Sequence, residues 1–244
     1  MNCGTEGENV FRPSHHEMFV CTIIIIIIMN PFIIESTSSK AVATLIFLHG
    51  LGDTGKGWAS AMKYLAPSLG HVRFVLPTAP TRPVTINGNM PMPAWYDIYS
   101  LSPVDHRTDE TGISQSQAQI TDLVETERQA GRKVFVGGFS QGAVVALQVG
   151  LQNSGVSGIV ALSGYYALPN SAIKSQEVPI FMAHGTKDIV VQYAWGQKSA
   201  EALKSKGCKV QFQSYAGMAH ESSMEELEDV KLFILEQLKE KNEL

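Results

Sequence analysis

Cysteine is scarce. Of 244 residues only Cys3, Cys21 and Cys208 carry a thiol, and two of these lie within the first 40. Three thiols so placed build no disulfide framework, which fits a reducing compartment. Metal-ligand spacing is missing as well. The 7 histidines are scattered and no Cys/His cluster forms, so neither a metal nor a diffusible cofactor is expected. Charge is thin, at 17% of residues and a formal net value of -4. The 19 basic residues are spread along the chain, whereas nucleic acid demands a clustered basic face; no nucleic acid partner is expected. No apolar stretch reaches the roughly 20 residues of a transmembrane helix, and no internal repeat is visible. What the chain has is apolar bulk. At 44% hydrophobic, it can bury a sizeable core in one domain of the larger kind.

Residues 1–40 differ from the rest. Phe19 to Ile34 reads FVCTIIIIIIMNPFII, with an unbroken run Ile23–Ile28 that Asn30 and Pro31 interrupt. The length suits the roughly 7–15-residue core of a signal peptide. Its flank is poor, because Arg12 is the only firm positive charge and Glu17 opposes it. Two readings stay open: a low-complexity appendage outside the domain, or a targeting segment. ESTSSK at 35–40 reads as a linker, which sets the expected domain at 41–244.

From Ala41 onward strand and helix patterns alternate. Short apolar runs predict strands at Thr44–Leu48, Arg73–Leu76, Lys133–Val136, Gly158–Leu162, Ile180–Ala183 and Val210–Tyr215. Helical spacing puts Ile113, Ile120, Leu123 and Val124 on one face, and Met224, Leu227, Ile234 and Leu238 on another. Gln141–Gln152 and Tyr193–Lys206 are further helix candidates. Apolar strands alternating with helices imply an α/β fold, a mainly parallel central sheet with helices on both faces. The segment from Pro77 to Thr111 is long and broken by proline, and such loops often shape a site.

One strand carries a chemical signature. Lys133–Gly142 reads KVFVGGFSQG and runs straight into the apolar stretch AVVALQVGL. Strand, G-x-S-x-G and helix together make a nucleophile elbow, the mark of an α/β-hydrolase fold. Gly138 and Gly142 lack a Cβ, so strand and helix can close around Ser140. The helix starting just after it points free N–H groups at a developing oxyanion. The five residues alone are a weak match, since a glycine-rich turn with Ser140 as a helix cap reads the same way; the flanking strand and helix lift it.

A serine hydroxyl needs a base to accept its proton, and in this fold the order along the chain is Ser, Asp or Glu, His. PIFMAHG at 179–185 ends a strand, and Asp188 follows within a short loop. Val210–Tyr215 is the next strand, and AGMAH after it ends in His220. Both lie past strand ends, on the edge that holds Ser140. His220 is the expected base, and Asp188 the group that fixes its tautomer. Singly, Asp188 reads equally well as a turn residue and His220 as a neighbour of the last helix's cap. His184 precedes Asp188, the wrong order, and is read as structural, as is His49. LIFLHGLGD at 45–53 opens a strand into a His-Gly loop, and the fold takes one oxyanion donor from that loop and one from the residue after the nucleophile. Those donors are the backbone N–H groups of Leu51 and Gln141.

Taken together, IFLHGLGDTGKGW (46–58), PTAPTRPVTIN (77–87), MPAWYDI (92–98), GGFSQGA (137–143), ALSGY (161–165), AHGTKD (183–188) and YAGMAH (215–220) resemble the acyl-protein thioesterase and lysophospholipase family, within the phospholipase/carboxylesterase group. The resemblance runs from residue 41 to about 238. It implies hydrolysis of long-chain acyl thioesters on S-acylated proteins, with some lysophospholipid and small-ester cleavage. Transient contact with a membrane surface follows from such substrates. The resemblance also implies that the loop Pro83–Trp95 borders an acyl groove, with Ile86, Met90, Met92 and Trp95 as substrate-binding candidates. Tyr165 stands where the family often has Trp, and it joins that set. A general carboxylesterase or lysophospholipase would use the same acyl-enzyme chemistry, and a catalytically silent hydrolase fold is the reading from another class.

The two chain ends bear on location. Lys241-Asn242-Glu243-Leu244 differs by one residue from the Lys-Asp-Glu-Leu retrieval signal of the endoplasmic reticulum, and Ile23–Ile28 would be the entry signal such a tail requires. Against this stand the weak positive flank and the cytosolic substrates of the family, so cytoplasmic residence is expected.

Overall fold

Nine strands and five helices follow one another in the computed structural model, which describes residues 31–101 and 107–239. In chain order they are β1 (Phe32–Ile34), β2 (Ala43–Leu48), α1 (Ala59–Leu65), β3 (Val72–Leu76), β4 (Thr81–Val84), β5 (Met90–Pro93), α2 (Glu110–Gln129), β6 (Lys133–Phe139), α3 (Gln141–Gln152), β7 (Val156–Leu162), β8 (Ile180–Gly185), α4 (Tyr193–Ser205), β9 (Val210–Tyr215) and α5 (Met224–Lys239). Seven strands form one sheet in the order β1-β3-β2-β6-β7-β8-β9. All neighbours in it run parallel except β1, which pairs antiparallel with β3.

Central strands covered on both faces need apolar residues at every position rather than every second one. Each residue of β2 is buried accordingly. Leu45 and Phe47 pack with Met62 and Leu65 of α1 and with Leu227, Val230 and Ile234 of α5. Ile46 and Leu48 face the other way, onto Ile113, Ile120 and Val124 of α2 and Val145 and Val149 of α3. The spacing read from the sequence thus forms the inner faces of α2 and α5, except that Met224, opening α5, is 53% exposed. Among the described residues no helix is long and apolar enough to cross a membrane.

The expected boundary at residue 41 moves. Phe32, Ile33 and Ile34 pair with Leu76, Val75 and Phe74, so the tail of the apolar run is an edge strand of the sheet. The segment read as a linker is tied down beside it: Glu35 forms an ion pair with Arg73, and Ser38 N–H donates to Gly70 O at 3.0 Å. Three antiparallel residues are too few for any periodicity to reveal. The run Ile23–Ile28 and the C-terminal KNEL lie outside the described residues.

The Pro-rich segment also holds more order than its composition suggests. β4 and β5 form a separate two-stranded antiparallel hairpin, with Pro83 opposite Pro91. Proline is tolerated because both strands are edges, with an N–H to spare on the outer side. Beyond the hairpin, Asp97 accepts hydrogen bonds from Thr85 N–H at 2.7 Å and from Thr85 Oγ1 at 2.6 Å.

Strand order decides where a site forms. The chain leaves β2 toward β3 on one side, while β6 lies on the other and leads away toward β7. Loops that leave adjacent parallel strands in opposite directions open a crevice between them. The loop after β2 begins at His49, and the turn after β6 is Ser140.

Candidate active site

Ser140 sits between β6 and α3 with φ 55° and ψ -118°, a left-handed backbone that a residue with a side chain adopts at a cost of about 1–3 kcal/mol. The glycines around it are sterically required. A Cβ on Gly138 would lie 2.4 Å from the Gly142 carbonyl carbon, and one on Gly142 would lie 2.2 Å from Leu48 O. Both obstacles are backbone, which has no rotamer to move. The elbow is held from the next strand as well, because Ser140 N–H donates to Leu162 O at 2.8 Å.

His220 stands over the serine. Its Nε2 is 2.9 Å from Ser140 Oγ, and its Nδ1 is 2.6 Å from Asp188 Oδ2. A carboxylate only accepts, so Nδ1 carries the proton and Nε2 is free to accept one from the serine. Phe139, the first variable residue of the elbow motif, lays its ring against His220 at 4.8 Å between centroids.

Asp188 is buried, which by itself opposes its charge. Hydrogen bonds from His184 and His220, the nearby His220 ring and the Val190 N–H outweigh that burial and hold its carboxyl well below the usual carboxylate range. Val190 and Val191 N–H both donate to Oδ1 at 2.9 Å. His184, read as structural, belongs to this cage. Its Nε2 lies 3.3 Å from Asp188 Oδ2 and 2.8 Å from Val191 O.

Leu51 and Gln141 both line the crevice with Ser140 and His220. Among the described residues neither backbone N–H has a hydrogen-bond acceptor, the state expected of donors reserved for a substrate oxygen. Gln141 contributes in a second way that the sequence did not disclose. Its side chain accepts from Trp95 N–H at 2.8 Å and donates to Tyr96 O at 2.7 Å, pinning the stretch just past the β4–β5 hairpin to α3.

The crevice opens on a cavity of about 630 Å³, within the range of small-molecule sites. Trp58, Ala61, Phe139, Ile98, Leu101 and Tyr165 give it mostly apolar walls. Of the substrate-binding candidates, Ile86 and Tyr165 line it and three do not. Met90 is 61% exposed on the hairpin. Met92 turns toward the Gly52 backbone, its Sδ 3.7 Å from where a Cβ there would be. Trp95 is fully buried, because its indole N–H has a partner in His49 O at 2.8 Å. The loop Pro83–Trp95, expected to border an acyl groove as a whole, instead contains most of the β4–β5 hairpin, whose alternation sends successive side chains to opposite faces. Trp58 and Phe139 lie within strings that carry the resemblance but were given no role of their own there, and Val191 gave no signal beyond being apolar.

A family model described as Phospholipase/Carboxylesterase matches residues 29–238. Acyl-protein thioesterase 1 of Neurospora crassa is 40% identical, the match covering 86% of this chain and 92% of that protein. Acyl-protein thioesterase 1 of Yarrowia lipolytica is 38% identical over 87% of this chain and all of its own length. Among solved structures, Zea mays acyl-protein thioesterase 2 superposes with a TM-score of 0.76 at 32% identity, covering 85% of this chain and 98% of that one.

Proposed function

Because the chain belongs to the phospholipase/carboxylesterase family, we propose that it is a serine hydrolase that removes long-chain acyl groups from S-acylated proteins, with Ser140, His220 and Asp188 as its catalytic triad. The observation that carries this reading is the relay of 2.9 and 2.6 Å from Ser140 through His220 to Asp188, opening on an apolar cavity. The thioesterase names of its relatives support the choice of substrate.

The chemistry follows from the geometry. Ser140 Oγ attacks the thioester carbonyl carbon as His220 Nε2 takes its proton. Asp188 holds Nδ1–H and stabilises the imidazolium that forms. The carbonyl oxygen gains negative charge between the Leu51 and Gln141 N–H groups. The C–S bond then breaks, the leaving thiolate receives the proton from His220, and an acyl-serine remains. Water then attacks the acyl carbon as His220 takes one of its protons, and His220 returns that proton to Ser140 Oγ as the ester bond breaks and the fatty acid leaves.

An apolar cavity accepts an acyl chain whatever its headgroup, so lysophospholipids are a second substrate class. Ile86, Ile189 and Val190, all exposed in the free protein, suit brief contact with a membrane surface where both substrates reside. Turnover of an S-palmitoylated peptide compared with that of a lysophospholipid tests the preference. A higher kcat/KM for the peptide is expected, and the reverse order would reassign the enzyme to lipids. Ser140→Ala should lower both rates by about 10³-fold or more; unchanged turnover would remove Ser140 from the mechanism.

A further inference from the structure

An oxyanion hole works only if its amides are aimed before the charge appears. The Gln141 amide is aimed by the first turn of α3. Leu51 lies in an irregular loop between β2 and Gly55, with no helix to orient it. The direction of an amide is a property of its peptide plane. The Gly50 carbonyl and the Leu51 N–H share one trans plane and point opposite ways. Whatever grips Gly50 O therefore aims Leu51 N–H.

His49 grips it. Its Nδ1 is 2.7 Å from Gly50 O, and its Nε2 is 3.0 Å from Ala79 N. The carbonyl only accepts and the amide only donates, so the first nitrogen must carry the proton and the second must not. Both bonds thus require one tautomer of a neutral ring. Burial supports this by pushing the pKa of His49 down, against smaller upward contributions from the Gly50 bond and Asp53. Asp53 N–H also reaches Gly50 O, at a longer 3.3 Å.

A second contact joins this grip to the other amide. The Trp95 indole N–H donates to His49 O at 2.8 Å, and Trp95 backbone N–H donates to Gln141 Oε1 at 2.8 Å. One buried residue therefore spans both oxyanion loops. Behind the donors, the His49 ring packs on the indole at 5.2 Å between centroids.

We infer that His49 is the positioning residue of the oxyanion hole, orienting the Leu51 N–H through the Gly50 carbonyl, and that Trp95 sets the spacing between this amide and that of Gln141. The inference rests on the serine-hydrolase reading above. It separates His49 from an ordinary core histidine, which would affect stability without favouring the transition state over the substrate.

Two isosteric substitutions divide the ring's two bonds. The side-chain nitrogen of Asn in H49N stands at the Nδ1 position and can still donate to Gly50 O, but nothing accepts from Ala79. In H49Q the terminal oxygen stands near Nε2 and can accept from Ala79, but the donor to Gly50 is lost. On p-nitrophenyl butyrate, the full-length H49Q protein is expected to lose about 10- to 100-fold in kcat, the scale of a small misplacement in a reacting site, at unchanged KM. Its affinity for phenylboronic acid, which mimics the tetrahedral adduct, should fall in parallel. H49N, which keeps a donor to Gly50 O, should lose markedly less kcat and boronate affinity than H49Q, although it too loses a buried bond and melts lower. Equal kcat losses in both variants, or H49Q at the parent's kcat, would overturn the inference. Should H49Q fail to fold, W95F decides: reduced kcat and boronate affinity at constant KM uphold it, and parental kcat overturns it. S140A separates the two levels, since parental turnover there would defeat the serine-hydrolase reading itself.

Discussion

Asp188 spends its two oxygens on different tasks. Oδ1 is held by two backbone N–H groups, from Val190 and Val191, and Oδ2 faces the two histidines. Asp188→Asn should therefore insert in one orientation, its carbonyl oxygen toward the backbone donors and its NH₂ toward His220. That NH₂ needs an acceptor at Nδ1, which drives the proton to Nε2 and leaves Ser140 without a base. The expected cost is about 10⁴-fold in kcat with KM little changed, read by steady-state kinetics on a chromogenic ester. A fall confined to KM would contradict this account. Glu226 raises a different matter. It is fully buried and neither carboxyl oxygen has a hydrogen bond within range. Burial pushes its pKa up to about 7 from 4.5, against the lowering influence of Ser222 and His184 and alongside the raising influence of Asp229. The folded state then holds a proton that the unfolded state releases, so stability falls as pH rises from about 4.5 through 7. Glu226→Gln should flatten that decline, with a difference between pH 5 and pH 8 of roughly 3 kcal/mol at most, measured as urea midpoints of both proteins. Parallel pH dependences would show that Glu226 does not titrate in this window.

Legibility at the level of elements followed length and burial. The six strands read from apolar runs are all present, and the elbow was plain because three local signals coincide there: an apolar strand, two glycines and a long apolar helix. Ser140, Asp188 and His220 were found from their places after strands, which topology alone brings to one edge. The expectations failed where an element is short or takes its stability from neighbours. β1 has three residues, α1 begins on Ala59 without a side-chain cap, and β4 and β5 each contain proline. Cavity-lining residues were illegible for another reason. Whether a side chain such as Met90 faces the site depends on strand register, which composition does not contain. β1 invites a direct test. A chain beginning at residue 37 lacks the strand and the Glu35–Arg73 pair and uncovers the β3 edge. It should melt several degrees below a chain beginning at residue 31 and aggregate more readily, as scanning calorimetry and light scattering would show. Equal melting temperatures would mean that β1 adds nothing to the sheet.

For the whole molecule, we propose residence in the cytoplasm, on the weak positive flank of Ile23–Ile28 and the relatives' action on S-acylated proteins. A fluorescent domain inserted just after residue 40, with both ends left free, is expected to give a diffuse pattern. A reticular pattern that becomes diffuse when residues 1–30 are deleted would place the protein in the endoplasmic reticulum and give the KNEL tail a purpose.

The position of His220 after the last strand has a consequence for how the protein comes into being. Ser140 leaves the ribosome 80 residues before the imidazole that activates it, as their separation in sequence fixes. β9, which carries that imidazole into place, closes the far edge of the sheet. Domains fold as units as synthesis proceeds, and contacts this distant in sequence are among the slow ones to form. Until His220 is in place, Ser140 has no base to take its proton and is chemically idle. Hydrolysis requires the final strand to be docked, so the appearance of activity reports a completed sheet.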